Sequence, residues 1–578
     1  MNAPVLLEGP VSSQLLVQPE ESEASALTGT AAVPTCALDH ALRYQADFWQ
    51  RGVLFLDILR ERANNMLAHE RAGLPPLLHF ESEMILDART FASPANYALL
   101  RITACGTDHL ERFVREGARP VIVLDPRAGH GPGIGGFKRD SEVGAALRLG
   151  HPVYFVIFFP EPCPGQTLAD VHHALRRFVK EVAQRHPGKP PALYGNCQAG
   201  WATALLSADC VGLAGPAVLN GSPLSYWAGE SDVNPMRLAG GLLGGAWLAE
   251  LFADLGDGRF DGAWLVQNFE NLNPASALWE KNDRVFADPE GERERFLEFE
   301  RWWSGFYFLS REEIATIVEN LFIGNQLEEG RFRICESCVA DLRRIRNPLV
   351  IFASGGDNIT PPHQALNWIA RVYRSTDELK AAGQRIVYLI NPHVGHLGIF
   401  VSASVALREH RAILENLDAF EGLEPGLYEM KLEDASGDSV ARAPSARFEP
   451  RRVEDVCFGY PRERFEKVRA LSEANVELYR RFLAPWVRAV ATPWGAALGK
   501  WFHPMRASRW MFSERFNPWM AWVGIAAQNV RENRQRAGAA NPFLLAEREL
   551  SREVGAALER WRKVRDAAQE DAFRTLYG

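Results

Sequence analysis

The stretch that most constrains this chain is Pro190–Gly200, where a short apolar run meets a turn of small residues. The apolar run Ala192–Tyr194 leads into Gly-Asn-Cys-Gln-Ala at 195–199, and the helix-forming run Trp201–Leu206 follows. A strand, a sharp turn and a helix in this order form the context of the Gly-x-Ser-x-Gly nucleophile elbow, with cysteine in place of serine. Small residues at both ends fit a turn that strains the nucleophile's backbone. At the head of a helix, the Cys197 thiol would face free N–H groups that favour the thiolate.

On this motif alone, Cys197 is equally compatible with a buried structural cysteine in an ordinary turn. In folds built around such an elbow, the nucleophile is followed in chain order by an acid and then a histidine, each after a later strand. Asp357 comes just after the apolar run Asn347–Ala353, and His396 lies between two glycines after the run Arg385–Ile390. The order and placement predict a triad of Cys197, Asp357 and His396.

His393 competes with His396 as the base, but a proline precedes it and no glycine flanks it. The oxyanion hole of this fold uses the N–H after the nucleophile and one from an earlier strand's loop. The predicted donors are therefore Gln198 and a backbone amide between Arg127 and Gly131, with Ala128 as the candidate. The G-x-G-x-x-G fingerprint of dinucleotide-binding proteins lies between a strand and a helix. The glycine spacing of this loop does not match it, so the loop predicts no nucleotide cofactor.

Apolar runs alternate with helical patterns through the middle of the chain. Runs at 97–102, 120–125, 152–159 and 215–220, with a helical pattern over 168–184, favour a mostly parallel sheet covered on both faces. The fold class predicted is α/β, an α/β-hydrolase fold. Residues 222–344 lack strand signals and are predicted to form a helical cap insertion over the active site, with these tryptophans: Trp227, Trp247, Trp264, Trp279, Trp302 and Trp303.

Helical regions are predicted on both sides of a catalytic domain at 95–425. Residues 1–36 show no periodicity and are predicted to be a disordered leader, and 37–94 an N-terminal helical region. Residues 426–578 are predicted to be a separate C-terminal helical module with six tryptophans between 486 and 522. Docking on the core, a homodimer contact, a granule surface and a lipid surface all remain open for it.

Several segments resemble the catalytic domain of polyhydroxyalkanoate synthases, which carry a cysteine in the lipase box. Trp302-Trp303 and the segment Asn320–Leu327 resemble that family's tryptophan and Asn-x-Tyr-Leu-x-Asn-x-Leu motif. Asp357-Asn358-Ile359 resembles its Asp-His-Ile, and Gly395-His396-Leu397 its Gly-His-Ile. The resemblance extends over roughly residues 95 to 405.

The resemblance implies an acyltransferase acting on (R)-3-hydroxyacyl-CoA, with Cys197 as nucleophile and His396 as base. Asp357 would orient His396 or help to activate the incoming 3-hydroxyl group. An intracellular polyester depolymerase or an acyl thioesterase would use the same triad, and a non-catalytic granule-associated protein is a third hypothesis. CoA would be a substrate moiety; no cofactor or metal is implied.

The composition excludes one class of function and predicts a compartment. A net charge of -8 without a basic block argues against nucleic-acid binding. Eight cysteines without framework spacing, and no apparent secretory signal, predict a cytoplasmic protein, with granule association as a further expectation. The longest uncharged apolar run, 238–249, is too short to span a bilayer.

Overall fold

The computed structural model describes residues 33–105, 108–109, 114–335, 339–433 and 445–578. Residues 1–32 of the predicted disordered leader, which spans 1–36, lie outside the described residues. Its last four residues, however, belong to helix α1, Val33–Arg71. Pro34 is compatible with this early start, because the first turn of a helix tolerates proline.

The strands alternate with helices as the apolar runs predicted. The strands are β1 Glu81–Asp87, β2 Tyr97–Cys105, β3 Asp108–His109, β4 Val121–Leu124, β5 Val153–Phe158, β6 Ala192–Asn196, β7 Ala217–Asn220, β8 Arg259–Asp261, β9 Phe308–Ser310, β10 Leu349–Ser354, β11 Arg385–Asn391, β12 Gly426–Glu433 and β13 Ser445–Arg451. In the described residues, 11 of these strands form one sheet in the order β1-β2-β5-β4-β6-β7-β10-β11-β12-β13, with β3 paired to β2.

Neighbouring strands are parallel from β5 to β12, and antiparallel pairs occur only toward the two edges of this sheet. This strand order and the helices between the strands give the α/β-hydrolase fold, as predicted. The carboxyl ends of β6, β10 and β11 therefore meet at one edge of the sheet, which is where parallel sheets place their ligands.

The central strands are buried on both faces because helices cover both. Ile122 and Leu124 of β4 pack in one apolar cluster, and Val121 and Val123 pack in another on the opposite face. This alternation follows from the two-residue period of a strand. The covering helices are α2 Glu142–Arg148, α3 Leu168–Arg185, α4 Ala199–Asp209, α11 Pro362–Leu366, α12 Trp368–Val372, α13 Thr376–Ala381, α14 His396–Val401, α15 Ala403–Val405, α16 Arg411–Glu415 and α17 Leu417–Gly422.

The insertion between β7 and β10 lies over the strand ends and is mostly helical. It also contains a two-stranded antiparallel ribbon of β8 and β9, which the prediction of a purely helical cap missed. Strands of three residues are too short to show a recognisable alternation in sequence. The cap helices are α5 Met236–Leu242, α6 Trp247–Leu255, α7 Ala263–Leu272, α8 Lys281–Ala287, α9 Pro289–Trp303 and α10 Arg311–Ile317.

Both predicted boundaries of the catalytic domain are wrong, because the sheet extends beyond 95 and 425. Strand β1 lies inside the predicted N-terminal helical region, and β12 and β13 lie inside the predicted C-terminal module. These edge strands carry exposed charged residues and therefore lack the apolar run that marks a buried strand.

The C-terminal helices pack on the rest of the chain and are not a separate module. They are α18 Arg462–Leu478, α19 Ala484–Val490, α20 Pro493–Phe502, α21 Ala507–Phe512, α22 Trp519–Glu532 and α23 Pro542–Tyr577. Phe465 of α18 and Phe573 of α23 share an apolar cluster with Trp227 and Leu238 of the cap. Helices α21 and α22 pack against α1. The two terminal regions therefore belong to the same packed body as the sheet.

Two further facts concern the described part of the chain. No single helix there is long and apolar enough to cross a membrane, while α5 and α6 together pass that test as a pair bent by 81°. Cys335 is disulfide-bonded.

Candidate active site

Cys197 lies in a strained turn between β6 and α4, as an elbow nucleophile does. Its φ is +47°, a left-handed conformation that costs a non-glycine residue energy. Its N–H donates to the carbonyl of Asn220 at 2.8 Å. A Cβ at position 195 would lie 2.2 Å from Thr203 Oγ1, and one at position 200 would lie 1.8 Å from Ser222 Oγ. Only glycine therefore fits at these two positions.

The structure brings Cys197, Asp357 and His396 together. His396 Nε2 lies 3.2 Å from Cys197 Sγ, and His396 Nδ1 lies 2.7 Å from Asp357 Oδ2. The other carboxylate oxygen, Asp357 Oδ1, accepts the backbone N–H groups of Ile359 and Thr360, each at 2.8 Å. Because both oxygens of Asp357 are occupied, the carboxylate holds the imidazole ring in one orientation.

Charge around His396 favours its protonated form. Burial opposes a charged imidazolium, but the Asp357 carboxylate and the Cys197 sulfur outweigh it and raise the pKa of His396 to about 10. All three side chains are buried, so water screens these interactions little. The arrangement favours an imidazolium beside the Cys197 sulfur, which suits activation of a cysteine nucleophile.

The predicted oxyanion donors, Gln198 and Ala128, line the same cavity beside the nucleophile. Gln198 is the N-cap residue of α4, and its side-chain Oε1 accepts Trp201 Nε1–H at 3.0 Å and Tyr226 O–H at 3.2 Å. Ala128 is buried in the loop after β4, where Gly129 has a φ of +106°. Both residues therefore line one cavity beside the nucleophile, and their role as the two N–H donors to a developing oxyanion stays a prediction.

Two cavities meet near the triad. The first, of about 330 Å³, is mainly apolar and lies between Gln198 and the cap, where its walls include these residues: Leu248, Phe252, Trp264, Leu309 and Ile317. The second, of about 550 Å³, is lined by Asp357 and His396 and by charged side chains of the cap and of α23: Glu270, Lys281, Glu559 and Arg562. Phe269 and Ile359 line both cavities.

A buried polar network that sequence analysis missed lies beneath the elbow. Glu142 of α2 accepts Asn196 Nδ2–H at 2.6 Å and Asn220 Nδ2–H at 2.8 Å. Asn196 precedes Cys197, and Asn220 accepts the Cys197 N–H, so Glu142 ties together the two residues that hold the nucleophile's backbone. Burial raises the pKa of Glu142 well above its usual range, although the two amides partly oppose this shift.

Asp125 extends the network to the oxyanion loop. Its carboxylate accepts the N–H of Gly133 at 2.6 Å and the N–H of Gly135 at 3.1 Å. Burial raises its pKa to about 6, against the lowering effect of these hydrogen bonds. Asp125 directly follows β4, and this position at a strand end could have identified it from sequence as a residue near the site. The sequence around Glu142, in contrast, gives no sign that its side chain reaches Asn196 and Asn220.

His393 and His130 both lie apart from the proton relay. His393 is exposed, and its N–H donates to Asn391 Oδ1. His130 is buried against Trp302, with ring centroids 4.1 Å apart, and burial lowers its pKa to about 4. Among the described residues, no group of three or more His, Cys, Asp or Glu side chains could hold a metal ion.

Solved structures similar to this chain include α/β-hydrolase enzymes at low sequence identity. The thioesterase domain from the curacin biosynthetic pathway is 13% identical, covers 59% of this chain and 99% of its own, and has a TM-score of 0.30. A monoacylglycerol lipase from Paleococcus ferrophilus is 16% identical, covers 52% and 96%, and has a TM-score of 0.31. Scores this low carry no argument, and the fold assignment rests on the strand order and the elbow.

Sequence relatives span nearly the whole chain. A protein from Rhizobium meliloti, described as an uncharacterized protein in the ackA 5' region, is 44% identical over 562 residues, which cover 95% of this chain and 76% of that protein. The family model described as protein of unknown function (DUF3141) matches residues 47–578. That match includes most of α1, the sheet, the cap and the C-terminal helices. The chain therefore belongs to the DUF3141 family of proteins of unknown function.

Proposed function

We propose that this protein is an acyltransferase that carries an acyl group as a thioester on Cys197. The observation that carries the proposal is His396, held 2.7 Å from Asp357 and 3.2 Å from a cysteine that begins an elbow helix beside an apolar cavity. A buried cysteine in this position with a protonated histidine partner is suited to attack on an activated acyl group.

In the first half-reaction, the Cys197 thiolate attacks the carbonyl carbon of an acyl-CoA thioester. The N–H groups of Gln198 and Ala128 would bind the oxyanion. When the carbon–sulfur bond to CoA breaks, His396 Nε2 gives its proton to the departing CoA thiolate, and acyl-Cys197 remains. Exchange of one thioester for another leaves the free energy of the acyl group nearly unchanged, which suits cysteine.

In the second half-reaction, neutral His396 removes the proton from an acceptor hydroxyl group. The acceptor oxygen attacks acyl-Cys197, the new ester forms, and the Cys197 thiolate is released beside the imidazolium. The polar cavity lined by Asp357 and His396 supports entry of the acceptor by a route other than the apolar cavity proposed for the acyl chain. Asp357 keeps the imidazole oriented through both half-reactions.

The acyl substrate we propose is a (R)-3-hydroxyacyl group, as in the polyhydroxyalkanoate synthases that the motifs resemble. Thr360 supports this choice, because its hydroxyl is buried without a hydrogen-bond partner and the residue lines the mainly apolar cavity. A buried hydroxyl without a partner costs free energy that a substrate hydroxyl would recover. The 3-hydroxyl group of the acyl chain is the natural partner.

Hydrolysis of the same acyl-Cys197 is the second candidate, making the protein an acyl thioesterase or a polyester depolymerase. The charged lining of the cavity beside His396 favours it, because Glu270, Lys281 and Glu559 would keep water next to the acyl-enzyme. The two candidates differ only in the acceptor, an alcohol or water.

The test is to incubate the purified full-length chain with (R)-3-hydroxybutyryl-CoA and to measure CoA release, polymer, free acid and the mass of the Cys197 peptide. CoA release with polymer supports the acyltransferase, and CoA release with only free acid supports the thioesterase. Neither release nor an adduct, with longer acyl chains also inert, would contradict acyl-CoA chemistry and favour polymer hydrolysis or a non-catalytic role.

A matched variant tests the hydroxyl specificity. Thr360→Val keeps the shape of the side chain and removes its hydroxyl. We expect this substitution to lower the preference for 3-hydroxybutyryl-CoA over butyryl-CoA by about tenfold, which corresponds to the loss of one hydrogen bond. An unchanged preference would contradict the role of Thr360 and leave the triad proposal standing.

A further inference from the structure

The C-terminal helices expose aromatic side chains on a scale unlike the rest of the chain. We define the aromatic segment as residues 478–525, which include α19, α20, α21 and the first half of α22. Four of its tryptophans have exposed fractions of 74%, 72%, 77% and 66%: Trp486, Trp494, Trp519 and Trp522. Other large apolar side chains of the segment are also exposed: Phe482, Leu483, Val490, Phe502, Phe516 and Ile525. Exposed apolar surface of this extent marks an interaction site.

Polar side chains of the segment point inward, the reverse of an ordinary surface helix. His503, Arg506, Arg509 and Ser513 are buried while the tryptophans are exposed. Four arginines tie the segment to the rest of the body through ion pairs: Arg480 with Glu250, Arg488 with Asp254, Arg506 with Asp261 and Arg509 with Glu70. The polar contacts therefore attach the segment, and its outer face is left apolar.

The outer face also carries positive charge. The segment has seven Lys or Arg residues, of which the four arginines named above are paired with carboxylates of the body, and a single acidic residue, Glu514, which pairs with Arg60 of α1. Arg481 and Arg515 are exposed, lie over the rings of Phe482 and Phe516, and have no carboxylate partner among the described residues. The whole chain is acidic, with a net charge of -8, so this cationic aromatic face is a local exception.

We propose that the aromatic segment binds the surface of an anionic phospholipid bilayer. Tryptophan is the side chain that prefers the boundary between headgroups and acyl chains, because its ring is apolar and its N–H remains hydrated. Cations beside such rings are attracted to anionic headgroups. The proposal goes beyond acyl transfer and holds whether or not the triad is active.

Helix length and symmetry favour this occupant. The longest helix of the segment, α22, has 14 residues and is about 21 Å long, shorter than the hydrocarbon core, so it suits binding parallel to the surface. In an isologous dimer the same patch meets itself, so Arg481 and Arg515 would face a surface whose single carboxylate, that of Glu514, already pairs with Arg60. A bilayer with negative headgroups satisfies both the rings and the cations.

The experiment is flotation of the full-length protein with vesicles of phosphatidylcholine alone or of phosphatidylcholine and phosphatidylglycerol. The main variant combines Trp486→Ser, Trp494→Ser, Trp519→Ser and Trp522→Ser, all at exposed positions that contribute little to the core. A charge variant combines Arg481→Gln and Arg515→Gln. Trp561→Ser is the matched control, because Trp561 is also exposed but lies on α23, outside the segment.

We expect the wild type to float with the anionic vesicles and the tryptophan variant to bind them at least about tenfold more weakly. The charge variant and 0.5 M salt should each weaken binding about threefold or more, and the control should bind as the wild type does. Absence of flotation by the wild type, equal binding to neutral vesicles, or full binding by the tryptophan variant would overturn the proposal. A different result would assign the face to a second copy of the chain. In that case the wild type does not float, it is a dimer in light scattering, and the tryptophan variant is not a dimer.

Discussion

Two tryptophans of the cap and two of the aromatic segment have opposite surroundings in one molecule. Trp227 is buried, donates its indole N–H to the Ile323 carbonyl at 2.9 Å and stacks on Phe465 with ring centroids 5.6 Å apart. Trp302 is buried and donates to the Gly131 carbonyl at 3.1 Å, in the loop that carries Ala128. Trp486 and Trp519, in contrast, are largely exposed.

The comparison teaches that tryptophan content alone does not predict a role. Trp227 and Trp302 fill a core and satisfy their N–H groups, and Trp302 supports the active-site loop through Gly131. The exposed tryptophans add little to folding, so their occurrence requires another explanation, and lipid binding supplies one. Experiments that separate the two groups test the whole interpretation.

The largest expected effect separates catalysis from surface binding. Cys197→Ala removes the nucleophile, and acyl transfer from 3-hydroxybutyryl-CoA should fall by about 10³-fold or more. Vesicle binding should be unchanged, because Cys197 is remote in sequence from the aromatic segment and its side chain is buried. CoA release and flotation measure the two properties, and loss of both in a folded variant would break the separation.

The next effect concerns stability. Trp227→Ala leaves a cavity in the cluster shared by the cap and α18 and should lower the free energy of unfolding by about 3–5 kcal/mol. Trp519→Ala removes an exposed ring and should change it by about 0.5 kcal/mol or less. Chemical denaturation followed by circular dichroism compares them. Equal losses would mean that Trp519 is covered in solution.

A third prediction concerns the charge on His396. In the wild type the His396 ring should titrate near pH 10, because Asp357 and Cys197 stabilise the imidazolium. Asp357→Asn removes the charge of the carboxylate, which counteracts the lowering of the His396 pKa by burial. The titration midpoint should therefore move to lower pH. NMR of ring-labelled histidine measures this shift, with His393→Gln as the control that removes the neighbouring exposed ring. An unmoved midpoint would contradict the assigned pair.

The smallest effect concerns the network beneath the elbow. Glu142 has a raised pKa when folded, so the stability linked to its proton is complete below about pH 4.5 and is lost as pH rises through the folded value. Glu142→Gln stays neutral at every pH. The Tm of the variant minus the Tm of the wild type should therefore rise between pH 5 and pH 9, by a few degrees at most for a chain of this size. A difference that does not vary with pH would show that Glu142 titrates normally.

Much of the fold and the triad could be predicted because they depend on local patterns. The runs that became β4, β5, β6, β10 and β11 are apolar at consecutive positions, which is what burial on both faces requires. The acid and the histidine each follow such a run. Edge strands β1 and β13 escaped prediction, since one strand neighbour and exposure to water leave them with charged sequences.

By itself, the sequence determined the elbow, the order of nucleophile, acid and base, and the strands that carry them, because each depends on spacing within about ten residues. Only the tertiary structure decided that Glu142 reaches Asn196 and Asn220, that the C-terminal helices complete the cap, and which tryptophans are exposed. These features depend on contacts between segments that are 50 to more than 300 residues apart. Burial is a property of such packing, and no local pattern contains it.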